Sequence, residues 1–255
     1  MIRSIALVSG AVLWAAPSFA ELLGTGAEVP SADVVLLGET HDNPDHHLFQ
    51  AEAVRALSPA VVVWEMMPEG PFDPSVPGFE PEWVARGWPA WSLYAPIHAA
   101  APDAVHLGMA QPRDAVRAAM TGPAPMEDAA RFGLDAPLPE AEQAEREAMQ
   151  QAGHCNALPE EMLPGFVAAQ RFRDASFARV VLEALEAHGG PVAVVTGSGH
   201  ARLDWGMPVY LGAAAPEVSV VALGQFEEMV PEAPPFDVWA VGPAAERDDP
   251  CEAFR

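Results

Sequence analysis

Glutamate and histidine side chains that could bind a metal or transfer protons cluster at a few positions of this sequence. They are Glu39, His41, His46, His47, Glu65 and His200. Imidazole and carboxylate groups together suit zinc, iron or manganese. A carboxylate in such a set can instead orient a histidine or act as general base toward a metal-bound water. The set is larger than one metal site needs, so we expect some of these side chains to hold others in place.

Each of these groups follows a segment with the composition of a buried strand. The three segments are Val34–Leu37, Ala60–Trp64 and Pro191–Thr196, all apolar and rich in β-branched residues. After the first segment, Asn43-Pro44-Asp45 predicts a helix start with Asn43 as the N-cap. A histidine in the first helical turn feels the positive end of the helix dipole, which keeps its nitrogen free for a metal. This favours His46 or His47 as a ligand, with the other pointing into the core.

The order of elements predicts an α/β fold with a mostly parallel central sheet and helices on both faces. A helix over 44–57 between the first two strands makes a βαβ unit, which is parallel and right-handed almost by rule. Parallel pairing puts Glu39 and Glu65 at the same sheet edge, where ligands bind in such folds. We expect further strands over 104–109, 218–223 and 236–241.

Two regions between the predicted strands leave alternatives open. The long aromatic and proline-rich excursion over 68–102 has three tryptophans, which either line a pocket for a flat ligand or, as we prefer, pack the loop onto the core. A helix within 159–188 carries Gln170 and Asp174 on its apolar stripe. Either its upper end reaches the polar site, or these two side chains satisfy backbone groups in the core, which is the more common outcome. Arg202 is the obvious cation near His200.

The first 20 residues resemble a secretory signal peptide. Arg3 provides a short basic region, an apolar stretch runs over 5–14, and Ser18-Phe19-Ala20 is a small-x-small cleavage site. We therefore expect residues 1–20 to be removed and residues 21–255 to form a single domain of a soluble protein, periplasmic or secreted, without stable membrane insertion. In that oxidising compartment a disulfide between Cys155 and Cys251 is about as plausible as free thiols.

Charge and motifs exclude several classes of function. The formal net charge is −23 and the chain has no lysine, so a nucleic-acid partner is not expected. Ser198 lies near His200 but without the Gly-x-Ser-x-Gly elbow of serine hydrolases. The sequence also contains neither a dinucleotide-binding glycine fingerprint nor a phosphate loop with lysine.

Two motifs together resemble the ChaN-like haem-binding uptake family of the Tiki/TraB superfamily. They are Leu-Gly-Glu-Thr-His-Asp-Asn-Pro-Asp-His-His at 37–47 and Thr-Gly-Ser-Gly-His-Ala-Arg at 196–202. Trp91-x-x-Tyr94-x-Pro96 and Leu163-Pro164-Gly165, followed by Gln170 and Asp174, are also similar to that family. The resemblance implies an exported α/β protein linked to haem or iron acquisition, which binds haem or another small ligand and forms a homodimer.

The resemblance does not decide which residue would meet the iron. By their chemistry His154 and Tyr94 are the candidates for axial ligand, and Arg202 is a further candidate for contact with the cofactor. Relatives in the wider superfamily are associated with metal-dependent peptidase activity, and Glu39, His41 and His200 fit their pattern. The alternative function is thus a hydrolase that uses zinc or manganese, with Glu39 or Glu65 as the base.

Overall fold

The computed structural model describes residues 29–252, in which the strands form one sheet. The strands are β1 Val34–Glu39, β2 Val61–Pro68, β3 Gly70–Pro71, β4 Val105–Ala110, β5 Val192–Gly197, β6 Val220–Glu227 and β7 Val238–Gly242. Their order across the sheet is β3-β4-β2-β5-β1-β6-β7. All neighbouring pairs are parallel except β3 and β4, so the sheet is mostly parallel, as predicted. The predicted signal segment lies outside the described residues.

The two helices predicted over 44–57 and within 159–188 are both present among the helices of the described residues. Within that part of the chain the helices are α1 Pro44–Leu57, α2 Phe79–Ala85, α3 Trp91–Ala100, α4 Arg113–Thr121, α5 Glu140–Gly153, α6 Leu163–His188, α7 Ser198–Ala201 and α8 Met207–Ala214, with short 3-10 turns at Ala129–Phe132 and Glu160–Met162. The Asn43 side chain accepts hydrogen bonds from the backbone N–H groups of Asp45 and His46, so it is the predicted N-cap of α1.

The central strands are buried on both faces, and alternate residues point to opposite sides of the sheet. Val35, Leu37 and Trp64 pack into a core with helices α1, α2 and α3. Val34 and Leu36 pack on the other face with helices α6 and α8. Because side chains alternate along a strand, Glu39 at the end of β1 faces the first core, and Glu65 in β2 faces the second.

The aromatic excursion covers the first face and also reaches the carboxyl edge of the sheet. Trp83 and Trp91 are buried in the core with the sheet residue Trp64, as the packing interpretation predicted. Trp88 is only half-buried and lines a cavity, as the pocket interpretation predicted. The two alternatives therefore apply to different tryptophans of one segment.

An irregularity in β2 displaces the strand just where the functional candidates begin. Trp64 pairs with Gly108 of β4, but the next pair is Pro68 with Ala110, so β2 has extra residues opposite β4. Bulges of this kind redirect the side chains that follow them. Glu65 is the first residue of the displaced segment.

The segment after β7 is attached to distant parts of the chain by a disulfide and by ion pairs. Cys251 forms a disulfide with Cys155, which connects this segment to the region before α6. Arg247 forms ion pairs with Asp42, which follows β1, and with Glu227 at the end of β6. Among the described residues no helix is both long enough and apolar enough to cross a bilayer.

Candidate functional site

The first half of the candidate site is built around Glu39. One carboxylate oxygen lies 2.8 Å from Nδ1 of His41, and the other lies 2.9 Å from Nδ1 of His47. The hydroxyl of Tyr94 donates to Glu39 and to the carbonyl of His41. Burial raises the pKa of Glu39, but hydrogen bonds from His41 and His47 outweigh it and lower the pKa below its ordinary value. Glu39 is thus a charged carboxylate that is held in place next to the His41 ring.

The two histidines in the first turn of α1 are both buried, but their surroundings differ. His46 accepts a hydrogen bond at Nδ1 from the backbone N–H of Thr40, and burial lowers its pKa, so it is held neutral. In His47, Nε2 contacts the carbonyl of His41 at 2.9 Å. Burial lowers the pKa of His47, but Glu39 outweighs burial and raises it. Both side chains therefore shape the loop that carries His41.

The second half of the site is built around Glu65 on the opposite face of the sheet. Its carboxylate accepts hydrogen bonds from the Thr196 hydroxyl at 2.7 Å, the Gly197 backbone N–H at 2.8 Å and Arg173 at 2.8 Å. Burial raises the pKa of Glu65, but His200 and the other donors outweigh it and hold the pKa well below the usual range. Glu65 is a charged group with little tendency to take up a proton.

His200 lies between two carboxylates. Its Nε2 is 3.4 Å from Glu65, and its Nδ1 is 2.5 Å from Asp174 of α6. The side-chain amide of Gln170 also contacts the ring. Of the two alternatives for Gln170 and Asp174, the structure therefore supports the one in which α6 reaches the polar site, and the preferred core interpretation was wrong.

The two halves of the site meet at Gly197. This glycine is the last residue of β5, which lies between β1 and β2 in the sheet. A Cβ at this position would lie 3.1 Å from Nε2 of His41 and 3.6 Å from Oε2 of Glu65. The absence of a side chain thus lets His41 reach across the sheet edge toward Glu65. His41 and His200 consequently lie beside the same carboxylate, as the parallel pairing of their strands predicted.

A cavity of about 900 Å³ opens beside this meeting point. Glu65 and Arg173 line it, together with Trp88 and two more arginines, Arg86 and Arg113. The His41 ring packs edge-on against Trp88, with 5.0 Å between the ring centres. The cavity therefore has a flat aromatic wall, arginine side chains and, next to that wall, an imidazole.

The three residues predicted to contact a cofactor have different surroundings. Tyr94 is fully buried and bonded to Glu39, and burial raises the pKa of its hydroxyl far above the ordinary value, so these contacts do not favour it as an iron ligand. Arg202 pairs with Asp204 and lies 3.7 Å from the centre of the Trp205 ring. His154 is half-buried at the end of α5. Their predicted roles stay predictions.

The zinc or manganese alternative finds no support in this arrangement. Within residues 29–252, no three histidine, cysteine, aspartate or glutamate side chains are placed to hold one metal ion. The reason lies in the contacts above, because Glu39 and Glu65 are occupied by histidine, arginine and backbone donors. The predicted metal roles of His41, His46, His47 and His200 rest on the sequence alone.

Two contributors to the site were missed in the sequence. Arg173 and Thr196 both bond Glu65. Thr196 was visible as the polar residue that ends an apolar strand. Arg173 had no such signal, because the rotation of α6 about its axis decides which side chains face the strand ends.

These features define a class, a mostly parallel α/β protein with paired glutamate and histidine groups at the carboxyl edge of its sheet. The family model described as haem-binding uptake, Tiki superfamily, ChaN matches residues 26–211. The chain therefore belongs to the ChaN haem-binding uptake family, as its two histidine motifs indicated.

One solved structure shows the same fold as this chain. A ChaN structure from Campylobacter jejuni, described as showing cofacial haem binding, aligns with a TM-score of 0.62 at 19% identity and covers 87% of this chain and 89% of that one. The type III effector HopBA1 aligns with a TM-score of 0.42 at 13% identity over 89% of this chain and 94% of that one. The search of curated proteins found no match.

Proposed function

We propose that this chain is an exported haem-binding protein that takes part in haem or iron uptake, with His154 as an iron ligand. Membership of the ChaN family supports haem binding or uptake. The structural neighbour from Campylobacter jejuni is described as binding haem cofacially. Haem would supply the iron, and the protein would supply the axial ligand and the surface around it.

The observation that carries this proposal is the hydrogen bonding of the His154 ring. Its Nδ1 lies 2.8 Å from the backbone carbonyl of Gln150. A carbonyl only accepts hydrogen bonds, so Nδ1 carries the proton and Nε2 keeps the lone pair that iron requires. Within the described residues no hydrogen bond occupies Nε2, and the ring of Phe166 lies edge-on, 5.0 Å away between centres. An accessible, oriented imidazole beside an aromatic ring fits an axial haem ligand.

Export is supported by the signal-like first 20 residues and by the Cys155–Cys251 disulfide, a bond that persists in oxidising compartments. We propose the periplasm as the location and a second copy of the chain as the partner. A half-exposed His154 would be accessible to such a copy.

Haemin titration of wild type, His154→Ala and a His188→Ala control tests the proposal. Protein taken from the periplasmic fraction of an expressing bacterium should begin at Glu21 by mass spectrometry. Wild type and His188→Ala, whose exposed histidine ends α6, should give the same saturable Soret shift. His154→Ala should weaken binding about tenfold or more, because the loss of a residue that only supports a metal ligand already has an effect of about that size.

Wild-type protein that gives no saturable shift would contradict haem binding itself. A saturable shift that His154→Ala leaves unchanged would place the iron ligand elsewhere. Light scattering before and after haemin addition tests the second copy, because the proposed partner should double the mass of the haem-loaded species.

A further inference from the structure

The haem proposal gives no role to the cavity of about 900 Å³ at the carboxyl ends of β2 and β4. This volume is in the size range of small-molecule sites. His154, the proposed iron ligand, is not among the residues that line the cavity, and neither is His41. The chemistry of a ligand for this cavity must therefore be inferred from the walls themselves.

One part of the cavity wall is apolar and aromatic. It consists of Met66, Trp88, Val116 and Phe177. Trp88 is only half-buried, so part of its indole ring is accessible to a ligand. A ligand gains free energy from such a wall only if it has an apolar body, and flat rings pack well on an indole. This part of the wall therefore favours an aromatic ligand over a small inorganic ion.

Another part of the cavity wall carries positive charge. It contains three arginines, Arg86, Arg113 and Arg173, although the whole chain has only 13 basic residues and a net charge of −23. The two lining acids are each paired already, Glu65 with Arg173 and Glu69 with Arg179. Positive charge on the wall is thus left without a partner, which favours an anionic ligand.

Arg113 is the lining arginine that is free of a carboxylate. Within residues 29–252 it forms no ion pair, whereas Arg86 pairs with Glu82 and Arg173 with Glu65. Arg173 uses one terminal nitrogen on Glu65, at 2.8 Å, and 32% of its side chain remains exposed. A guanidinium has five N–H donors in a planar fork that matches the two oxygens of a carboxylate. Arg113 is therefore the residue best suited to receive a ligand carboxylate.

We propose that this cavity binds small aromatic carboxylates, with Trp88 against the ring and Arg113 on the carboxylate. Arg173 adds a second positive charge to the same wall. A free phosphate ion suits the cavity less well, because it has no apolar body for Trp88 and Phe177 and its second negative charge would be repelled by the lining acids. The site is independent of the proposed haem site, since His154 does not line it.

Two matched ligands test this proposal by isothermal titration calorimetry. The anion 2-naphthoate and the neutral 2-naphthamide share one flat ring system and differ in the group that Arg113 would contact. Wild-type protein should bind 2-naphthoate saturably, one molecule per chain, and about tenfold or more tightly than 2-naphthamide. That ratio corresponds to one hydrogen bond to a charged group.

Three variants separate the contributions of the charge, the planar fork and the ring. Arg113→Gln should weaken 2-naphthoate about tenfold or more and leave 2-naphthamide unchanged. Arg113→Lys keeps the charge without the fork, so its affinity for 2-naphthoate should lie between those of Arg113→Gln and wild type. Trp88→Leu should weaken both ligands about threefold or more, because the aromatic contact is lost for each of them.

Arg117→Gln is the matched control for these variants. Arg117 is an exposed arginine on the same helix, α4, and it does not line the cavity. This variant should bind both ligands as wild type does. Circular dichroism checks that every variant folds.

Any of four results would overturn the inference. Three of them are the absence of saturable 2-naphthoate binding, equal affinities for the two ligands, and equal binding of 2-naphthoate by Arg113→Gln and Arg117→Gln. The fourth is displacement of 2-naphthoate by haemin or by inorganic phosphate, which would assign the cavity to that ligand. Haemin titration in parallel should give the same Soret shift for Arg113→Gln as for wild type, so failure of this site and failure of haem binding are separate outcomes.

Discussion

At the scale of single residues, the site is organised by carboxylates that the fold keeps charged. Glu39 and Glu65 each have two or more donors, and both have pKa values below the ordinary one in spite of complete burial. A buried charge is tolerated only when it is paired and hydrogen-bonded. The histidines and Arg173 are therefore needed to compensate the buried charges of Glu39 and Glu65.

The pKa of His200 depends on the charges of the carboxylates around it. Burial lowers its pKa, but the carboxylates of Glu65 and Asp174 outweigh burial and raise the pKa to about 9. We expect the imidazole NMR signals of His200 to keep the protonated form at neutral pH and to titrate near pH 9. The stability that this charge contributes should be complete below about pH 6.5, the unfolded value, and be lost as pH rises toward 9.

The substitution Asp174→Asn removes one of the two carboxylates and should lower the pKa of His200. Titration of His200 near pH 6.5 in the wild-type protein would show that the two carboxylates do not control its charge.

The sequence identified the histidines and glutamates and left open whether Asp174 reaches them, but it gave no sign of Arg173. His41 and His200 stand out because each follows a glycine at the end of an apolar strand. Asp174 and Arg173 lie on a long helix, where the packing of α6 against the sheet decides which side chains reach His200 and Glu65. Such contacts depend on tertiary structure, which a local pattern does not contain.

At the scale of elements, the position of Glu65 depends on how closely β2 and β4 approach at the bulge. A Cβ on Gly108 would lie 2.0 Å from the backbone oxygen of Pro68 and 2.4 Å from that of Met67. Backbone atoms cannot move aside as a flexible side chain can. Glycine at position 108 is therefore a condition for the displaced end of β2.

We expect Gly108→Ala to lower the free energy of unfolding by about 2 kcal/mol or more, the usual cost of overpacking a buried site. Gly153→Ala is the matched control, because that glycine is the last residue of helix α5 and no atom lies within 4 Å of its added Cβ. The control should be neutral or slightly stabilising, since alanine favours helix. Urea unfolding measures both variants, and equal stabilities would mean that the bulge accommodates a methyl group.

Regular elements were predictable and irregular ones were not. Long apolar runs gave β1, β2 and β5, and helical spacing with Asn43 as N-cap gave α1. The extra residues of β2, the two-residue strand β3 and the 3-10 turns have no comparable sequence signal. These features depend on how strands and loops pack against each other. One of them, the irregularity in β2, contains Glu65.

At the scale of the whole molecule, the last described segment joins distant parts of the chain. Its disulfide with Cys155 spans 96 positions, and Arg247 contacts the loop after β1 and the end of β6. Asn43, the N-cap of α1, also donates to Glu227 and to the carbonyl of Pro243. The loop that carries His41 is thus supported from the far end of the sequence.

The stability that these contacts give to the folded chain should depend on pH, because one of the contacting groups is the carboxylate of Glu227. Hydrogen bonds from Arg247, with a contribution from Asn43, lower the pKa of Glu227 to about 2, although burial opposes them. In the unfolded chain the pKa of a glutamate is about 4.3. Between these values only the unfolded chain binds the proton, so stability is present above about pH 5 and is lost as pH falls toward 2.

We expect Glu227→Gln to reduce the free energy of unfolding at neutral pH by an amount on the order of 1 kcal/mol, typical of partly exposed ion pairs. Its stability should also fall less steeply than that of wild type between about pH 5 and pH 2, because the variant lacks the group that titrates. Urea unfolding over this range measures the two slopes, with Glu217→Gln, an exposed position, as the control. Parallel slopes for wild type and Glu227→Gln would mean that the ion pairs of Arg247 do not stabilise the folded chain.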